Sequence, residues 1–350
     1  MQITTWGESH GKAMGVVIDG CPAGLSLSDK DIQQALQKRS PGNSLFTSPR
    51  KEPDIAEILS GVFEGITTGA PISIVIPNCH PESNTYDPIR HLLRPGHATY
   101  TYLEKYGIFD HRGGGRSSGR ETVCRVAAGA VAQKILAHFG LSCVAYLKQV
   151  DTIIAEIDPT DLEPLSTSPI FCPDPHVNKQ MEDKILEAKA AGDSLGAVVG
   201  FIALGLPAGF GDPVYEKLEA NLAKAMLSIP GTKGFEIGSG FTSAAMKGSS
   251  HNDAFLYEDG KVITKTNHAG GVLGGISTGM PLIGSVAFKP TSSIFMPQTT
   301  LSLDKKAAEF NLPEGSKHDP CMAIRAVPVV QAMLSLVLAD ALLMNRCSKL

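Results

Sequence analysis

Arg112, Arg116, Arg120 and Arg125 fall within fourteen residues, around three consecutive glycines, in the stretch GIFDHRGGGRSSGRETVCRVAAGA, residues 107–130. Guanidinium groups pair bidentately with phosphate or carboxylate, and glycine lets backbone approach a ligand with no Cβ in the way. Ser118 stands three residues before Glu121 at the head of an apolar-periodic run, which is the spacing of a capping box. The glycines therefore lead to a helix N-terminus, where free N–H groups and the positive end of the helix dipole attract anions. Together these features describe a phosphate-binding corner. The competing reading is a flexible turn with solvated arginines. Neither a Walker loop nor a dinucleotide fingerprint is present, since no Gly-Lys-Ser/Thr follows and Ser118 occupies the place of the third glycine.

Two histidines stand in rigid turns. His10 lies between glycines in GESHG (7–11), and His97 follows Pro-Gly in RPGHATYTY (94–102), with Arg94 three residues before it. An imidazole with a free pKa near 6.5 can move a proton near neutral pH; for either residue alone, a structural hydrogen-bonding role is the alternative. HDPCMAIRAVP (318–328) sets Asp319 before a proline and Arg325 at the opening of an apolar helix, although an Asp-Pro pair also simply starts a turn. KPTSSI (289–294) offers one ammonium and three hydroxyls to an oxyanion, or else a helix cap.

Bulk properties restrict what such groups can serve. The 350 residues are 43% hydrophobic and 6% aromatic, which suits one large Ala/Val/Ile/Leu-packed domain or two merged ones. A net charge of −4 gives no whole-protein attraction to nucleic acid or an anionic membrane, so any anion site is local. Seven irregularly spaced cysteines without a Cys-x-x-Cys indicate neither a disulfide framework nor a zinc or other metal site, and reduced thiols imply a cytoplasmic protein. MQITTWGESHG lacks the basic-then-apolar pattern of a secretory signal. The most apolar segment, Ala326 to Ala339, contains Pro328 and is too short for a bilayer of about 30 Å, so a buried helix is expected and no membrane.

The elements that must hold the reactive residues follow from periodicity and punctuation. Ser28 and Ile32, Ala35 and Leu36 predict a helix over 29–39, and PGNS ends it. APISIVIPN (70–78) predicts a strand, and Val126, Ala127, Ala130, Val131 and Ile135 predict an amphipathic helix from 123 to 138. Five prolines over 158–175 predict a surface excursion. Beyond it come a helix over 181–192, an apolar strand, a helix running through a Gly-rich loop into another strand, a glycine-dense segment over 262–294, and a closing helix over 326–345.

GESHG, LSGVFEGITTGAPI, RPGHATYTYLEKYGIFDHRGGGRSSGRETVCRVAAGA, SIPGTKGFEIG, NHAGGVLGGISTGMP, FKPTSSI and HDPCMAIRAVPVVQAM, in this order from about residue 3 to 345, resemble the motifs of the chorismate synthase family. The resemblance implies a single domain over 1–350 of the α+β class, a β-α-β sandwich with helices between antiparallel sheets, assembled as a homotetramer. It implies a lyase of the shikimate pathway that converts 5-enolpyruvylshikimate 3-phosphate to chorismate by loss of phosphate in a 1,4-anti elimination. It also implies reduced FMN as cofactor, with NADPH or a separate flavin reductase as the source of electrons. By resemblance His10 protonates the departing phosphate and His97 protonates reduced flavin, while Asp319 assists deprotonation with Ser118 beside it. Arg39, Arg94, Arg112, Arg325 and Ser9 resemble substrate anchors; Arg116, Ser117, Ser118, Pro230, Gly231, Gly274, Lys289, Pro290, Thr291, Ser292, Ser293 and Lys317 resemble flavin contacts. Ser40, Leu45, Phe109 and Lys317 replace arginines common in the family, Gly119 an alanine and Thr99 an aspartate. The alternative is a catalytically weakened flavin- or anion-binding protein on the same fold.

Overall fold

The computed structural model describes residues 1–40, 42, 44–48, 52–79, 83–158, 162–313, 315–316 and 318–349. Strict alternation builds the first sheet: in β4 (Ile72–Pro77) Ile72, Ile74 and Ile76 are fully buried and the residues between them are not. It pairs antiparallel with β2 (Ala13–Asp19) and β3 (Glu57–Ile58), and β1 (Gln2–Gly7) pairs antiparallel with β2, giving the order β1-β2-β4-β3. The second sheet joins β5 (Ser142–Val150), β6 (Ile153–Ile154), β7 (Ala197–Leu204), β8 (Thr232–Ile237) and β9 (Leu282–Phe288) in the order β8-β9-β7-β5-β6, again all antiparallel.

Helices separate the two sheets. In α1 (Asp29–Arg39) the Asp31 carboxylate accepts from the Ser28 N–H at 2.8 Å, and Lys38 and Arg39 meet the negative end of the dipole. Helix α3 (Thr122–His138) packs on β2, and α6 (Ala323–Asn345) packs on β5 and β7, while α1 and α5 (Leu218–Leu227) flank them. The two central helices touch at Gly129 and Ala332, where a methyl on Gly129 would overlap the Ala332 side chain. One contiguous apolar cluster runs through both sheets and these helices. The architecture is thus the expected α+β sandwich.

Three helices differ from their sequence reading. Residues 122–132 of α3 are buried except for Arg125, so it is a core helix rather than an amphipathic one. With 23 residues and a mean hydropathy of 2.0, α6 is long and apolar enough to cross a bilayer, contrary to the length argument; 67% of its apolar window is covered by the rest of the fold. Helix α4 (Pro175–Ala190), packed beside β5 and β6, starts six residues earlier than expected, because Asp174 caps the His176 N–H at 2.8 Å and Pro175 takes the first turn. The proline-rich excursion is anchored at its end: Ile170 and Cys172 are buried, and the Phe171 carbonyl accepts from Leu147 N–H at 2.9 Å.

A small satellite cluster lies beside the sandwich. Ile89, Leu92 and Phe310 pack together with Tyr86 against the hairpin Gln298–Leu301/Ala307–Phe310. Leu93 N–H donates to the Leu301 carbonyl at 2.9 Å, which fixes the loop carrying Arg94 and His97 ahead of α2 (Thr99–Tyr106).

Candidate active site

The three glycines seat two imidazoles. Gly113, Gly114 and Gly115 have φ of 62°, 86° and 52°, in the left-handed region that side chains resist. A Cβ on Gly113 would lie 2.5 Å from Cδ2 and Nε2 of His10, and one on Gly114 would lie 2.7 Å from Cε1 of His97. His10 comes from the turn between β1 and β2 and packs edge-on to Tyr86, with ring centroids 5.4 Å apart. The glycines do not lead directly into a helix: two 3₁₀ turns, Gly115–Ser117 and Gly119–Glu121, precede α3. Ser118 Oγ caps the second turn through Arg120 N–H at 3.3 Å, and Glu121 pairs with Arg125 at 2.8 Å in place of the expected capping-box partner.

The imidazoles face a cleft of about 710 Å³, within the range of small-molecule sites. Arg39, Arg94, Arg116, Arg120, Arg125, Lys289 and Arg325 line it against three carboxylates, Glu52, Glu121 and Asp319. The excess of positive charge is local to this wall of a chain whose net charge is −4. Each cation is held. Arg39 donates to Thr122 Oγ1 at 2.9 Å, Asp54 at 3.1 Å and the Gly119 carbonyl at 3.1 Å. Arg116 reaches Thr5 Oγ1 at 2.6 Å and the Gly7 carbonyl at 2.9 Å, and Arg94 donates to Ser293 Oγ at 2.8 Å over the Tyr86 ring. Lys289 donates to the Gly96 carbonyl at 2.5 Å, and Arg325 to Asp319 at 2.9 Å, whose other oxygen accepts from Ser48 N–H at 2.7 Å. Ile229, Pro230, Met322, Ala326 and Val329 supply an apolar strip on the same cleft.

Burial and like charge keep the second imidazole neutral. Burial first, then Arg94, Lys289 and His318, hold His97 down to about 3, and burial with Arg94 holds His318 down to about 4. The sequence expectation of a group titrating near neutrality thus does not describe His97 in the free protein. Burial, with Arg325 adding repulsion, lowers Arg39 to about 9, which leaves it charged at neutral pH. Ser9 Oγ, His97 Nδ1, Thr291 Oγ1 and His318 Nε2 are buried on the cleft without a hydrogen-bond partner, an arrangement that a polar ligand would complete.

The cleft gathers Ser9, His10, Arg39, Arg94, His97, Arg116, Ser117, Ser118, Pro230, Gly231, Lys289, Thr291, Ser292, Ser293, Asp319 and Arg325. Arg112 does not join them: its side chain is nearly half exposed and clamped on Asp110 at 2.8 and 2.9 Å. Gly274 turns the separate hairpin Val272–Leu273/Ile276–Ser277, and Pro290 stands behind Thr291 without lining the cleft. Lys317 lies outside the described residues. His318, Glu52 and Tyr86 line the cleft although no role was read for them, and only the adjacency of His318 to Asp319 hinted at one of these; Arg120 and Arg125, read as part of the anion-binding arginine cluster, line it too.

A family profile described as chorismate synthase matches residues 1–343. A protein named chorismate synthase from Protochlamydia amoebophila is 56% identical, over all of this chain and 97% of its own length. One of the same name from Methanosarcina mazei is 50% identical over 98% of this chain and 94% of its own. A crystal structure of chorismate synthase superposes with a TM-score of 0.77 at 31% identity, covering 98% of this chain and 92% of the other. With the imidazole-bearing glycines and the arginine-lined cleft lying inside the matched span, the chain belongs to the chorismate synthase family.

Proposed function

We propose that the chain is a chorismate synthase that converts 5-enolpyruvylshikimate 3-phosphate to chorismate and phosphate, a lyase reaction of the shikimate pathway run with reduced FMN. The observation that carries this reading is the pair of imidazoles mounted on Gly113 and Gly114 inside a cleft with a surplus of fixed cations. Such a site matches a substrate bearing one phosphate and two carboxylates. Arg39, Arg94 and Arg325 are positioned to neutralise these anions, and they are already oriented by Asp54, Ser293 and Asp319, so little reorganisation accompanies binding.

His10 stands ready to give a proton to the leaving phosphate, braced by Tyr86 and Gly113. Asp319, fixed by Ser48 and Arg325, is the carboxylate available to take the proton that the elimination releases. His97 is neutral in the free protein and can take up a proton at its unpartnered Nδ1 once anions enter. The orphaned Ser9 and Thr291 hydroxyls, Arg116, Lys289 and the apolar strip of Ile229, Pro230 and Met322 fit a flat, phosphorylated cofactor. When bound, reduced FMN would supply transient electron donation with no net redox change.

NADPH or a separate flavin reductase would supply the electrons. A cytoplasmic setting is supported by seven unpaired cysteines, and a homotetramer by exposed Tyr215, Phe241 and Tyr257. The test is anaerobic incubation of the purified protein with FMN, dithionite and substrate. Stoichiometric release of phosphate and chorismate is expected; no release, where an authentic chorismate synthase works, would favour a weakened flavin- or anion-binding protein.

A further inference from the structure

Asp54 is buried to 1% exposure and has φ of 45°, a left-handed conformation in a residue other than glycine. Backbone strain of this kind persists only where surrounding contacts hold it. Its carboxylate does not line the cleft, yet it accepts from two arginines that do: Arg39 through Oδ2 at 3.1 Å and Arg120 through Oδ1. Ser40 Oγ donates to the same Oδ2 at 3.2 Å. Arg120 is also paired with Glu52 at 2.5 Å and donates to Asn78 Oδ1 at 3.0 Å. Arg39 is 1% exposed, and Arg325 and Arg120 repel its charge while Asp54 and Glu52 offset that repulsion. Asp54 thus links two guanidinium groups that would otherwise push each other apart at the floor of the site.

We propose that Asp54 is a positioning residue, which aims Arg39 and Arg120 into the cleft as a preformed clamp for a phosphate ester or a carboxylate. The inference rests on the reading that the cleft binds a phosphorylated, carboxylated substrate. It adds that the clamp is set from behind, by a residue that touches no ligand. Arginine donors held in place before binding lose little side-chain freedom when the anion arrives.

Asp54→Asn removes the charge while keeping the size and the tolerance for left-handed backbone. Inorganic phosphate serves as the binding probe, read by calorimetry beside the melting temperature and the steady-state constants. The expected variant is folded, binds phosphate about tenfold more weakly or worse, as loss of charge-assisted hydrogen bonds implies, and raises KM by a similar factor with a smaller change in kcat. A variant that melts lower but binds phosphate within about twofold of wild type would show a purely structural role and overturn the proposal. Turnover by the wild type tests the reaction separately, so the two failures are distinguishable. If Asp54→Asn does not fold, or wild-type phosphate binding is too weak to measure, the wild-type protein decides. The Nε–Hε signals of Arg39 and Arg120, assigned with Arg39→Lys and Arg120→Lys, should be sharp and slow to exchange before any anion is added. Broad, freely rotating guanidinium signals would overturn it.

Discussion

Burial above all, with repulsion from Arg94 on both and from Lys289 on His97, keeps His97 and His318 neutral in the folded chain well below the pH at which a free imidazole takes a proton. The sign follows from linkage: the unfolded state binds protons below about pH 6.5, the folded state only near 4 and 3, so these residues cost stability as pH falls through that window. A polyanion in the cleft reverses the local field. Phosphate binding at pH 6 should therefore take up more protons, net of those phosphate itself releases, in the wild type than in His97→Gln, measured by calorimetry in buffers of different ionisation enthalpy; no difference between the two would contradict the assignment. His10→Ala and His97→Ala should each lower turnover by roughly a hundredfold or more, the scale of a lost acid or base, while circular dichroism stays unchanged. Phe109 borders the His97 ring edge-on, with ring centroids 6.3 Å apart.

At the scale of elements, the glycine loop is a seat. Gly113→Ala and Gly114→Ala each place a methyl where an imidazole now lies and force a left-handed backbone on alanine. Each should depress turnover far more than it lowers the melting temperature, with Gly114→Ala acting on His97 and Gly113→Ala on His10; an unchanged kcat would refute the seating role. The sequence revealed that the stretch is glycine-rich and cationic and suggested room for a ligand, and the resemblance identified its family, yet neither showed that the glycines make room for two imidazoles. The reason is tertiary: Gly113 lies against His10, about a hundred positions away, and Gly114 against His97 in the preceding loop. Helix α1 was legible to the residue because its cap and its charges are local, whereas α4 began early because Asp174-Pro175 is itself a start signal inside a proline-rich run. His318 went unread because its role depends on burial beside His97 and Arg94, which no spacing records.

For the whole molecule, the sandwich brings the ends of the chain to one site: His10 follows the first strand, and Asp319 precedes the last helix. Periodicity yielded individual strands and helices, while the sandwich of antiparallel sheets came only through the resemblance, because pairing across as many as 91 residues, as between Ala197 and Phe288, leaves little local trace. The two layers meet where α3 crosses α6, and Gly129→Val should lower the melting temperature there, with a cost of about 1–3 kcal/mol typical of overpacking; an unchanged transition would show that the helices are free to separate.

The central claim is that fixed cations and glycine-mounted imidazoles surround a tri-anionic enol ether beside a reduced flavin. A crystal structure of the protein with both molecules bound under anaerobic conditions tests it most directly. Ring nitrogens of His10 and His97 should lie within hydrogen-bond reach of the bound molecules, about 2.6–3.2 Å, with Arg39, Arg94 and Arg325 on the phosphate and carboxylates. Ligands found outside this cleft, or imidazoles turned away from them, would contradict the account.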